Sequence, residues 1–169
     1  MTDVVLSDLL APNLRAVFCG TALGTASAQR KLYYAGPGNR FWSILAETNL
    51  TPAKLTPEGY RDLLRHGIGL TDVVKNQSGA DSDLTFDTSV ARALEAKIRK
   101  FRPAVLCFNG KRAAKEYLQM PSVRYGRHDA TIGRTLIFTA PSTSGAAAKW
   151  WDPALWHELA NLVRSLRSD

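Results

Sequence analysis

The alternation of short apolar runs with amphipathic segments limits this chain more than any other feature. Four runs, Arg15 to Gly20, Gly67 to Val74, Ala104 to Asn109 and Thr135 to Ala140, are mostly apolar, carry Val, Ile or Phe, and are bounded by Gly, Asn, Pro or Ser. They are short enough to be strands buried on both faces. Helical patterns lie between and after them. Asn39 to Glu47 carries Phe41, Trp42, Ile44 and Leu45, and Pro57 to Arg65 opens with Thr56 as N-cap and Pro57 at the first helical position. Thr88 to Phe101 sets Val90, Leu94, Ile98 and Phe101 on one face and stops before Pro103. Lys111 to Leu118 is a shorter helix. The last has Asp152 as cap, Pro153 in its first turn, and Leu155, Leu159, Leu162, Val163 and Leu166 as its buried stripe. Strands that alternate with helices pair in parallel through crossovers. The expected fold is therefore an α/β three-layer sandwich, a central four-stranded, mainly parallel sheet with helices on both faces. No repeat or linker divides residues 1–169, which read as one domain.

Composition narrows the function. Twenty-two Lys and Arg against 15 Asp and Glu give a net charge of +7, and ten of those cations fall between Lys97 and Arg134, beside only Glu116 and Asp129. Such a cluster is either a polyanion-binding surface, most often for nucleic acid, or a solvated basic face. No apolar run approaches the roughly 18 residues of a membrane span, and Met1 to Asp8 lacks a signal-peptide pattern, so a cytoplasmic protein without membrane contact is expected. Cys19 and Cys107 lie in apolar runs and read as small packing residues. No metal site and no cofactor are expected.

In an open parallel sheet, chemistry gathers at the carboxyl ends of the strands. Here those ends are Gly20-Thr-Ala-Leu-Gly-Thr25, Thr71-Asp72, Asn109-Gly110-Lys111 and Pro141-Ser-Thr-Ser-Gly145. None is a dinucleotide fingerprint, a phosphate loop or a serine-nucleophile elbow.

Taken together and in order, these segments resemble a known family. Val17-Phe-Cys-Gly20 leads into a glycine-closed loop, followed by Tyr34-Ala-Gly-Pro-Gly-Asn-Arg-Phe-Trp42, Gly69-Leu-Thr-Asp-Val-Val74, Phe108-Asn-Gly-Lys111 and Pro141-Ser-Thr-Ser-Gly145. The set resembles the mismatch-specific uracil-DNA and thymine-DNA glycosylases of the uracil-DNA glycosylase superfamily, over about residues 12 to 166. The resemblance implies hydrolysis of the N-glycosidic bond of uracil, mismatched by preference, or of another deaminated or damaged base flipped out of DNA. The partner implied is double-stranded DNA, with single strands an open possibility, and the protein is expected to act as a monomer.

The resemblance also implies roles for residues. Tyr34 aligns with the aromatic that stacks on the flipped base, and Gly20, Thr21 and Ala22 lie where main-chain groups read the pyrimidine edge. Asn39 matches a family asparagine, with capping of the next helix an equal alternative. Phe41 and Trp42 read as core. Ser142, Thr143, Ser144, Gly145 and Ala146 correspond to the loop that enters the minor groove, where family members carry a bulky wedge; Lys149 or Trp150 would have to replace it. Lys111, at a helix start, and Lys149 are the expected phosphate contacts, with Arg112, Arg124 and Arg127 looser candidates and His128 near phosphate.

One position departs from the family. Its first loop reads Gly-Ile-Asn-Pro-Gly, and the asparagine positions the attacking water; here Ala22 stands in that place. A methyl group cannot hold water. Asp72 is the expected replacement, because a carboxylate orients and partly deprotonates water and stabilises a cationic sugar. Its alternatives are an N-cap or a salt bridge with Arg40 or Lys75. Asn109 is the second choice, and Asp81 and Asp83 read as solvated turn residues. Without a catalytic lysine the enzyme would be monofunctional. The rival expectation is a weak or inactive protein of the same fold that binds damaged or abasic DNA.

Overall fold

The structure is a computed structural model and describes residues 4–80, 84 and 86–166. Asp81 and Asp83 lie outside the described residues. Strands Ala16–Gly20 (β1), Ile68–Asp72 (β2), Val105–Asn109 (β3), Gly126–Ile132 (β4) and Thr135–Ala140 (β5) form a five-stranded sheet of order β2-β1-β3-β5-β4. β2, β1, β3 and β5 are parallel, and β4 runs antiparallel to β5. Helices Thr25–Arg30 (α1), Phe41–Glu47 (α2), Ser89–Phe101 (α3), Lys111–Leu118 (α4) and Pro153–Ser165 (α5) are joined by 3-10 segments at Pro57–His66 and Gly145–Trp150.

The parallel strands hold their side chains on two apolar faces, as their unbroken hydrophobic runs require. Ala16 and Phe18 of β1, with Val105 and Cys107 of β3, face a core closed by α2, α5 and the Pro57–His66 segment. Val17, Cys19, Leu106 and Phe108 face the opposite core, closed by α3 and α4. The period-2 alternation along each strand thus builds both outer layers. Cys19 and Cys107 are buried, one in each core, and burial pushes both thiols up. In α5 the buried face is Trp156, Leu159, Ala160 and Val163, with Leu162 and Leu166 packed beside it. The second expected helix, Pro57 to Arg65, is instead a 3-10 helix that kinks at Gly59, and Thr56 gives it no side-chain cap. Asp152 does cap α5, accepting from the Ala154 amide at 3.0 Å.

The sheet has one strand more than the four expected. β4 has a mostly exposed central stretch and a register shift between Arg127 and Thr131, so it shows no apolar run to mark it. What creates it is the turn: Ile132 pairs with Thr135 around Gly133 and Arg134, and Gly133 has φ 58°. A glycine at the first central position is typical of a two-residue hairpin. At the other edge, Leu9 and Leu70 exchange backbone hydrogen bonds of 2.9 and 2.8 Å, which covers β2. This close approach requires Gly69, where a Cβ would lie 2.6 Å from the Leu9 carbonyl oxygen. No helix among the described residues is long and apolar enough to cross a membrane.

Candidate active site

Parallel pairing brings the carboxyl ends of β1, β2, β3 and β5 to one edge of the sheet, and their loops are tied together there. Val73 and Val74 amides donate to the Gly20 and Thr21 carbonyls at 2.9 and 2.8 Å, joining the first loop to the end of β2. The Gly110 amide donates to Ala140 at 2.9 Å, and the Arg40 amide donates to Thr143 at 2.8 Å. Trp156 Nε1 fixes the Pro141 carbonyl at 2.9 Å. Between these loops opens a cleft of about 1090 Å³. That is ample for a nucleotide with its flanking phosphates. Gly20, Thr21, Ala22, Tyr34, Asn39, Asp72, Asn109, Lys111 and Ser142 through Ala146 all line it. Lys149 does not, and neither do the looser candidates Arg124, Arg127 and His128.

Asp72 ends β2 inside this cleft and is only 4 % exposed. Its Oδ2 lies 3.3 Å from Lys75 Nζ, and the same ammonium reaches Asp8 Oδ1 at 3.0 Å and donates to the Tyr33 hydroxyl at 3.1 Å. Lys97 closes the network on Asp8, which also accepts from Thr71 Oγ1 at 2.7 Å. Burial raises the Asp72 carboxyl above the usual range, and Lys75 opposes that rise. Asp8 is also burdened by burial, but Lys75, Lys97 and Thr71 hold it below the usual range. The salt bridge with Lys75, one alternative for Asp72, is therefore present, and it coexists with a place in the cleft. Arg40 is not part of it: its guanidinium sits over the Trp151 ring at 5.4 Å.

Tyr34 stands on the cleft wall with φ 51°, a left-handed conformation that costs a non-glycine residue roughly 1–2 kcal/mol. Trp42 Nε1 donates to its carbonyl at 3.1 Å, and Ser27 Oγ accepts from the next amide at 2.9 Å, so both sides of the residue are held. One face of its ring stacks on Phe41 at a 4.0 Å centroid separation. Phe41 and Trp42 are buried, as expected of core residues. Asn39 accepts from the Phe41 amide, the first of α2, at 3.0 Å, while the N-cap position itself is Arg40, without a side-chain cap.

Asn109 is committed to the facing loop: its amide nitrogen donates to Thr143 Oγ1 and its oxygen accepts from the Thr143 amide, both at 3.0 Å. Thr143, 1 % exposed, is thus engaged internally, while Ser142, Ser144, Gly145 and Ala146 remain open to the cleft. Ala22 contributes only a partly buried methyl beside the second core.

The rim is basic and aromatic. Lys111, Arg112 and Lys115 line it from α4, and Lys111 Nζ lies 4.3 Å from the centre of the Tyr125 ring. Arg112 is paired with Glu116 at 3.0 Å. Trp150 also lines the cleft, 60 % exposed, with Lys149 Nζ 5.6 Å from its ring centre. His128 lies on β4, 2.7 Å from Thr139 Oγ1, and its imidazole is held below the usual range by burial and by Arg124. The basic sequence cluster divides between roles: Lys97 serves the Asp8 network and Arg99 pairs with Glu95. Tyr125 and the Asp8–Lys75 pair carried no sequence signal, because each is brought to the site only by the fold, and Lys115 was marked only as one cation of the basic cluster. No group of three or more His, Cys, Asp or Glu side chains among the described residues is placed to hold a metal ion.

The sequence profile of the uracil DNA glycosylase superfamily matches residues 7–162. A solution NMR structure of a candidate uracil DNA glycosylase from Methanosarcina acetivorans is similar with a TM-score of 0.66 at 19 % identity, covering 94 % of this chain and 96 % of that one. The α/β fold, with its mostly parallel sheet between helices, is shared with that protein.

Proposed function

Because the chain belongs to the uracil DNA glycosylase superfamily, and is thereby a DNA glycosylase, we propose that it removes uracil, preferentially mismatched, by a monofunctional hydrolysis in which Asp72 replaces the missing asparagine. The observation that carries this reading is the Asp72 carboxylate, buried at 4 % exposure yet lining the same cleft as Ala22. A base flipped into the cleft leaves the stack at a cost of a few kcal/mol, least in a mismatch. Its plane rests against Tyr34. Asp72 takes a proton from the attacking water and stabilises the positive charge that builds on the sugar as the base departs. The ammonium of Lys75, directed at Asp8, Tyr33 and Asp72, opposes the rise that burial imposes on the Asp72 carboxyl and so favours its charged form.

Around this centre, Lys111 and Lys115 hold phosphates and Trp150 occupies the stack beside the vacated base. Binding through phosphates gives affinity with little sequence information, which suits an enzyme that scans duplexes as a monomer. The specific feature that favours the second reading, a binding protein with little catalysis, is Ala22.

Single-turnover release of uracil from G·U, A·U and single-stranded oligonucleotides separates the two. Release fastest from G·U, and reduced by about 10² or more in Asp72→Asn with abasic-DNA affinity retained, is the expected result. No base release with excess wild-type protein refutes catalysis. Full activity in Asp72→Asn and Asp72→Ala refutes the role of Asp72.

A further inference from the structure

The hydroxyl of Tyr34 is enclosed within the protein; the Asn109 amide faces it, but no hydrogen bond of good geometry is made to it. A buried hydroxyl left in this state costs about 1–3 kcal/mol, so its retention calls for a ligand. Its surroundings identify one. A Cβ built on Gly20 would meet two atoms within 4 Å, Asp72 Oδ1 at 3.0 Å and Tyr34 Oη at 3.6 Å. The bare face of Gly20 is thus bounded by one carboxylate oxygen and one phenolic oxygen, from two residues that line the cleft. Burial and the neighbouring Asp72 charge keep the phenol protonated, with Asn109 opposing them only in part.

We propose that Tyr34 is a catalytic residue through its hydroxyl as well as its ring: together with Asp72 it holds the attacking water over Gly20. The inference rests on the reading of Asp72 as the water-activating group. The water gives one hydrogen to Asp72 Oδ1 and the other to Tyr34 Oη, which leaves an oxygen lone pair aimed at C1′. As the C1′–O bond forms, the C1′–N bond breaks and its electron pair leaves with the base. The proton passes to Asp72, and Tyr34 is unchanged. Two side chains on separate loops thereby do the work that one amide at position 22 would have done. Glycine at position 20 is required because a methyl group there would crowd Asp72 Oδ1 at 3.0 Å and close the water position.

Tyr34→Phe tests this, since it keeps the stacking ring and removes only the hydroxyl. The single-turnover rate on a saturating G·U duplex is expected to fall about tenfold, the worth of one positioned hydrogen bond, with duplex affinity unchanged. Gly20→Ala is expected to lose rate in the same way, and thermal melting of both variants reports their folding. A wild-type rate in Tyr34→Phe overturns the proposal, and so does a rate loss matched by an equal loss of affinity. Asp72→Asn is measured alongside: if it is inactive while Tyr34→Phe is fully active, this inference alone fails, and if it is fully active the underlying reading of Asp72 fails as well.

Discussion

Replacing Lys75 with methionine tests whether Asp72 works as a carboxylate. The pair is separated by 3.3 Å, with Lys75 18 % and Asp72 4 % exposed in their side chains. At an effective dielectric constant of about 20, two unit charges at that distance interact by about 5 kcal/mol. Solvent entering from the cleft and the more distant charge of Lys97 both reduce the consequence of losing Lys75, but the Asp72 carboxyl is expected to rise further. The sign follows from the existing balance, because burial already raises this carboxyl and Lys75 opposes it. Single-turnover rates measured from acid to alkaline pH should show the acid limb displaced upward, with the wild-type rate regained on the alkaline side. Stability should move the other way. A carboxyl raised in the folded state binds its proton more tightly there, so its contribution is retained below the ordinary carboxylate pKa and lost as pH rises through the folded value. Leaving the Asp72 charge buried without its partner costs about 3–5 kcal/mol on the alkaline side, and adding Asp72→Asn should restore the melting temperature. Asp8 keeps Lys97 and Thr71 in every variant. An acid limb that stays in place while the rate falls equally at all pH values would refute the reasoning.

Four further outcomes are expected. Asn109→Ala removes two 3.0 Å hydrogen bonds and leaves the Thr143 amide and hydroxyl buried without partners, lowering stability by about 2–4 kcal/mol in urea denaturation and weakening abasic-DNA binding. Trp150→Ala, at an exposed rim position, should leave stability within about 0.5 kcal/mol but reduce affinity for abasic duplex about tenfold by fluorescence titration. Lys111→Ala should weaken duplex binding evenly across sequences and reduce the slope of log affinity against log salt by about 1. Gly69→Ala sets a methyl carbon 2.6 Å from the Leu9 carbonyl oxygen, and calorimetry should show a loss of about 1–3 kcal/mol as the Leu9–Leu70 bridge is displaced.

How far the site could be foreseen depends on what each residue responds to. Lys111 opens α4 directly after β3, so its position follows from the strand-to-helix order alone. Asp72 was legible as a strand end. Its ammonium partner was only one of several possibilities, and the second carboxylate was not visible at all: Asp8 lies far from Asp72 in sequence and arrives through the pairing of Leu9 with Leu70. Asn109 read as a reserve for catalysis, whereas both ends of its amide are spent on Thr143, a partner 34 positions away. β4 was missed because an exposed edge strand needs no apolar run, and only the Gly133 turn marks it.

Local chemistry therefore settled the layers. The short apolar runs, the caps and the glycine turns each act over a few residues, and the period-2 alternation of β1 and β3 is enough to require a covering layer on both faces. Those features, with the loop motifs at their carboxyl ends, determined the α/β architecture and the edge of the sheet where the cleft opens. The tertiary structure decided which polar atoms meet. Whether Asp72 is charged depends on Lys75 and Asp8, whether Tyr34 offers its hydroxyl depends on a left-handed turn pinned by Trp42 and Ser27, and whether Asn109 is free depends on the facing loop. Electrostatic and hydrogen-bond energies depend on distances of a few tenths of an ångström between segments remote in sequence, and only the packed fold sets those distances.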